Sequence, residues 1–326
     1  MNKRYLPLAL SLLLLYGCGG SNSHENSIVS QKYVHKFGYA VSKEDWMQKD
    51  YPGQVITTLS NGVTITSTYE GSTLHGPTTH TYPNSQTIHY FYLYDHGTLS
   101  KEIVYNALGM PTRERVQLSP HRYTLTMWYH DGTPMCIEDY ADEELLDGEY
   151  MTVNNEIESR VEKGNGLRIT RDFKGTLLSK DIFENGYIAK QETFYPSGTP
   201  ESIVHFAMNK LHGEKRTFAE SGEPLSIEEW VGGQLHGKST YFANGIKQVE
   251  IHYLHGAKNG PELHYRDDGM TVAQEILWEN DRRQGPTTYY VDGSTQTEWW
   301  YEGKHITQKR YEELDRLDQM ISQIND

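Results

Sequence analysis

The chain has 326 residues and a formal net charge of −14, which argues against a nucleic-acid partner, because phosphate binding needs clustered Lys and Arg. Hydrophobic residues make up only 36%, yet there are 24 Tyr, 6 Trp, 8 Phe and 29 Gly. That mixture suits short strands joined by many tight hairpins.

At the amino end, Met1-Asn2-Lys3-Arg4 is basic, residues 6–16 form an apolar run, and Leu15-Tyr16-Gly17-Cys18 follows. The run is too short to span a bilayer as a mature helix, so residues 1–17 read as a cleaved export signal. The last four residues resemble the lipobox of bacterial lipoproteins. That resemblance implies that Cys18 becomes an acylated N-terminus carrying palmitate-type chains. With Gly19 and Gly20 after it and no Asp, the expected address is the outer membrane. Cys136 is then the remaining thiol, so no internal disulfide is expected.

Residues 18–50 are predicted to form a tether with one short helix. Its first part, to about Gln31, is polar and rich in Gly and Ser. Ser42 followed by Glu44 and Asp45 gives a helix start over residues 43–49, which Pro52 ends. Asn61-Gly62 between two β-branched runs predicts a hairpin with a type I′ turn.

Residues 51–305 carry an internal repeat of about two dozen residues. Two turn positions alternate. The first is occupied by Gly97, Gly186, Asn209, Gly233, Gly256, Asp281 and Gly303. The second is occupied by Asn84, Gly109, Gly132, Gly175, Gly198, Gly222, Gly245, Gly269 and Gly293. Only residues that enter left-handed backbone geometry cheaply appear there, so each unit holds two tight turns and two strands. Phe183, Phe206, Trp230, Tyr253, Trp278 and Trp300 stand three residues before the first turn. Tyr105, Trp128, Phe194, Phe218, Tyr241, Tyr265 and Tyr289 stand four before the second. Two aromatic ladders are expected, with rungs about 10 Å apart. The short step from Gly148 to Gly166 predicts a deletion or bend. Residues 306–326 read as a helix with Tyr311, Leu314, Leu317, Ile321 and Ile324 on one side, laid over the open end of the array. The fold class is therefore all-β, an elongated antiparallel meander of tandem β-hairpin repeats with a C-terminal capping helix.

The unit Gly-x-x-His-Gly-x-x-x-x-Tyr-x-x-x-Gly is seen at His236-Gly237 to Gly245, with variants at His212-Gly213 to Gly222, Asn259-Gly260 to Gly269 and Gln284-Gly285 to Gly293. It resembles the variant MORN repeat of bacterial YwqK-like antitoxin-type proteins. The resemblance covers about residues 51–305 and implies a hairpin array used for binding or scaffolding.

The histidines that precede the repeat glycines, His75, His212 and His236, raise a metal reading. Side chains repeated on every second strand stay about 10 Å apart, whereas two zinc-bound nitrogens lie within about 4 Å. A turn-packing role is expected instead, and no metal or cofactor. His130, Asp131 and Cys136 have the residue types of a nucleophile cluster, but hairpin geometry alone explains the closeness of His130 and Asp131. The acidic run Glu138, Asp139, Asp142, Glu143, Glu144 and Asp147 lacks the order of a calcium loop and reads as a solvated insertion. No catalytic residue is assigned.

The sequence thus predicts a non-catalytic, membrane-anchored scaffold for a protein partner, attached through Cys18. Its possible binding face is the row Trp230, Tyr253, Trp278 and Trp300. Gly186, Gly233, Gly245, Gly256, Gly269, Gly293 and Gly303 serve as structural turns. A glycan or cell-wall binder that uses aromatic grooves is the second reading, and an antitoxin-like protein is the third, on the resemblance.

Overall fold

The computed structural model describes residues 27–291 and 293–325. Residues 1–17, Cys18 and the start of the tether lie outside the described residues. Among the described residues twenty-six strands form one sheet, and nearly every strand pairs antiparallel with the next in sequence. The all-β meander of hairpins, closed by a C-terminal helix, is the fold. Four strands open on proline, at Pro111, Pro134, Pro200 and Pro224, where the missing N–H costs no ladder bond.

The pairing begins earlier than composition suggested. Ile28–His35 is a strand, and it pairs with both Ala40–Val41 and Gly53–Leu59. Residues 28–32 are exposed, Ile28 and Val29 included, so the side chains find no core while the backbone is held in the ladder. Helix α1 (Lys43–Lys49) follows, with the Ser42 hydroxyl accepting from the Asp45 N–H at 3.1 Å. Trp46 packs with Tyr33, Val55 and Tyr69, a small core at this end.

All sixteen turn residues named above have positive φ. The first-turn positions sit in two-residue hairpins, such as His255-Gly256 with φ of 52° and 87°. Most second turns are longer: Gly222 N–H donates to Ala219 O and Ala219 N–H to Glu223 O. The turn at Asn61-Gly62 is also of the longer kind, not type I′. Gly62 has φ 82°, and Asn61 is not among the positive-φ residues; its side chain instead accepts from Val63 N–H at 3.0 Å.

The first-turn edge is stitched from unit to unit. Gly97 N–H donates to Leu74 O, Gly233 to Leu211 O, Gly256 to Leu235 O and Gly303 to Arg283 O. These bonds satisfy turn amides that a lone hairpin leaves to water.

One face of the sheet holds most of the buried side chains. A continuous row runs across it through Arg168, Asp181, Gln191, Val204, Lys215 and Glu228. It resumes at Ser239 and continues through Ile251, Glu262, Ile276 and Thr287. Apart from α1, no second layer covers this inner face among the described residues, so its burial comes from the sheet curling towards it. The tightest packing lies where the repeat is weakest. There Leu145, Tyr150, Val161, Ile169 and Phe183 form the main core, around the short pairing of Ile157–Glu162 with Asn165–Arg171.

Helix α2 (Gln308–Asn325) covers the opposite, outer face of the last hairpins. The Tyr311 ring lies 5.0 Å from Trp299, and Tyr301 donates to Asp318 at 2.8 Å. Only the first turns of the predicted apolar side pack: Tyr311 and Leu314 are half-buried, while Leu317 and Ile321 are exposed. The Ile324 side chain lies outside the described residues.

Candidate functional site: the aromatic row of the inner face

Every member of the first aromatic ladder lies on the inner face, and five of the six face a glycine. The Cα partners are Phe183 with Gly166, Trp230 with Gly213, Tyr253 with Gly237, Trp278 with Gly260, and Trp300 with Gly285. A Cβ added at these glycines would meet other groups, such as His205 at Gly213 and His252 at Gly260, and not the partner ring. These glycines also carry positive φ, from 87° at Gly213 to 140° at Gly166. They sit at β-bulges that break the regular register.

The second ladder divides between the two faces. Tyr241 and Tyr289 stand four residues after Gly237 and Gly285, an even separation, and their cross-strand partners lie on the inner face. Phe218 and Tyr265 stand five after Gly213 and Gly260, and an odd separation turns them outward. One added residue before the turn decides the face.

Trp230, Tyr253, Trp278 and Trp300 do not form an exposed apolar strip. All four are half-buried, and the indole nitrogens of Trp278 and Trp300 are buried. Long cations lie over the rings: Lys215 at 5.7 Å from Trp230, Lys258 at 4.6 Å from Trp278, and Arg283 at 4.7 Å from Trp300. Such contacts use the negative face of each ring and cover it with an alkyl stem. Carboxylates complete the row. Glu228 accepts from Trp230 Nε1 at 3.1 Å. Glu262, 8% exposed, accepts from Lys258 Nζ at 2.6 Å and His264 Nε2 at 2.7 Å. Burial opposes ionisation of Glu262, but those two donors outweigh it and hold the carboxyl below its ordinary value. Burial, with Tyr241 beside it, pushes Tyr253 up to about 12. The row is thus an aromatic floor under a mixed charged rim.

A second cluster was not legible in the sequence. Glu138 is 5% exposed and accepts hydrogen bonds from Tyr140 and Tyr150, each at 2.9 Å. It is no part of a solvated insertion, although Asp142 and Glu143 beside it are exposed. Burial and the Glu138 charge push both phenols upward. Nearby, Asp181 is 1% exposed and accepts from Arg168, Gln191 and Ser179. Every oxygen of these two carboxylates has a donor, which makes the cluster a satisfied structural network beside the short pairing of Ile157–Glu162 with Asn165–Arg171.

Of the remaining residues weighed for chemistry, Cys136 is buried, and burial pushes its thiol up to about 12. The Asp131 side chain accepts from Thr133 N–H, and the His130 ring packs on Phe173. The three are not brought together as a triad by any bond. His75, His212 and His236 do not meet one another; His75 and His236 each meet a histidine of the following first turn instead. Comparison with known families and with curated proteins finds no match to this chain.

Proposed function

We propose that the chain is a non-catalytic repeat scaffold that captures a protein partner on the inner face, held at the outer membrane through an acylated Cys18. The observation that carries this reading is the uncovered, charged and aromatic inner face, continuous from Leu177–Glu184 to Ser294–Tyr301. Aromatic anchors surrounded by a polar rim are the anatomy of protein interfaces. The likeness to variant MORN repeats points the same way.

Because Tyr253 and Trp278 are half-buried opposite glycines, replacing them tests stability as much as binding. The charged rim is the separable probe. Arg283→Glu in the full, acylated chain should abolish capture of the partner recovered with wild type, while the far-ultraviolet dichroism stays unchanged. Photo-crosslinks placed only on the outer face, at Glu192 or Lys190, would overturn the assignment of the face.

A glycan reading has its own observation. Tyr82, His89, Tyr90, Tyr92 and Tyr94 form a connected ring cluster, with Tyr82 and His89 stacked at 4.2 Å. Binding of purified wall glycan that is lost in Tyr90→Ala and kept in Arg283→Glu would favour it over protein capture.

A further inference from the structure

The geometry points to a divalent transition-metal site, zinc first, built by Glu70, His75 and His96 on the first-turn edge, with Asp95 as the carboxylate that orients both imidazoles. Glu70 ends the strand Thr64–Glu70, His75 lies early in Thr73–Thr81, and His96 begins the turn after Ile88–Asp95. The turn stack joins them: Gly97 N–H donates to Leu74 O, which sets His96 against the neighbouring turn. One donor atom from each of the three residues lies within 4.8 Å of the others.

The spacing of Glu70 and His75 is close to that of two ligands on a tetrahedral ion. Zinc bound at about 2.0 to 2.1 Å keeps two ligand atoms about 3.4 Å apart, and His75 Nε2 stands 3.7 Å from Glu70 Oε2. The imidazole centroids are 4.5 Å apart. Asp95 Oδ1 lies 2.6 Å from His96 Nδ1 and 3.5 Å from His75 Nδ1. A carboxylate on Nδ1 fixes the tautomer that presents Nε2 to a metal. His75 Nδ1 also lies 3.3 Å from the His96 N–H. Metal at His75 Nε2 therefore transfers that nitrogen's role from acceptor to donor, and Asp95 is in place to accept. The fourth position opens to solvent, since all four side chains are partly or well exposed. Imidazole with one carboxylate suits zinc, copper or nickel rather than magnesium or calcium.

The repeat supplies an internal control. His236 and His255 occupy the equivalent places, with rings 5.2 Å apart. There the residues matching Glu70 and Asp95 are Val231 and Leu254, so two histidines stand alone. Histidines of alternate strands stand about 10 Å apart, too far to share one ion, whereas a histidine of the adjoining turn comes close enough.

The test is calorimetric titration of the full chain in detergent with zinc chloride, with circular dichroism on every variant. Wild type should take up one equivalent at this site. His75→Ala and His96→Ala should each abolish it, and Asp95→Asn should weaken it about 10- to 100-fold. Val231→Glu with Leu254→Asp should add a second equivalent. No uptake by wild type, or uptake unchanged in the folded His75→Ala/His96→Ala variant, overturns the site. Failure of the Val231/Leu254 variant to gain an equivalent overturns the role given to the two acids.

Discussion

Replacing Arg168 by Met should be among the most costly single changes in the sheet. Asp181 is 1% exposed. Arg168 donates to its Oδ2 from Nε at 2.9 Å and from Nη2 at 2.8 Å. Gln191 serves Oδ1 at 3.0 Å, so losing Arg168 leaves a buried carboxylate with neutral donors alone. Breaking a buried pair by removing one partner costs about 3 to 5 kcal/mol. Methionine retains part of the stem packing over Phe183, whose ring lies 4.9 Å from the guanidinium, so the loss is chiefly electrostatic. Removing the charge from both sides, Arg168→Met with Asp181→Leu, should recover on the order of 2 to 3 kcal/mol of it. A repeat array does not unfold in two states, so the proper measurement is native-state hydrogen exchange on Asn165–Arg171 and Leu177–Glu184. A loss of about 4 kcal/mol speeds local exchange about a thousandfold. If single and double variants exchange alike, the buried pair is not the unit that holds these two strands.

At Gly256 (φ 87°) an added Cβ meets only the Gln234 side chain, at 3.8 Å, so Gly256→Val should cost about 1 to 3 kcal/mol by backbone strain alone and Gly256→Asn clearly less; equal melting temperatures would refute this. Cys136, with its thiol pushed up to about 12, should resist aromatic disulfide reagents at pH 8 in the folded chain and react at once in denaturant. The depressed carboxyl of Glu262 contributes stability that is complete above its ordinary value, 4.5, and is lost as pH falls through the lower folded value. Glu262→Gln should flatten that acid-side slope in a pH series of thermal melts, and an unchanged slope would refute the assignment.

The turns were legible because positive φ restricts composition. At the second of the two left-handed residues only Gly, Asn or Asp appears, while the first admits His96, Met208, His255 and Glu302, so the period shows through that second position. The first aromatic ladder was legible for the same reason, since its spacing is tied to the turn. Its cause was not, because Gly213 and Trp230 stand 17 positions apart in the chain and are joined only by the register. The second ladder failed on parity, which a count from the turn does not contain. The burial of Glu138 and Asp181 depends on how far the whole sheet curls, and the same acidic run on a flat stretch would be solvated. The His75 and His96 contact required aligning two units and asking which turns touch.

Glycine and ring stand as cross-strand partners within one hairpin in most of the later units. Gly213 and Trp230 lie on the two strands that the second turn at Gly222 joins, as do Gly260 and Trp278 around Gly269. Each such hairpin therefore carries its own bulge glycine and the ring paired with it. The first turn makes the contact between units, through the Gly233 and Gly256 N–H groups and the carbonyls of Leu211 and Leu235. A face that is buried only by curling needs those contacts, since a single hairpin has no neighbour to curl against. The hairpin sets which side is inner, and the stack of first turns keeps that side a half-buried, charged and aromatic surface rather than an exposed strip of rings.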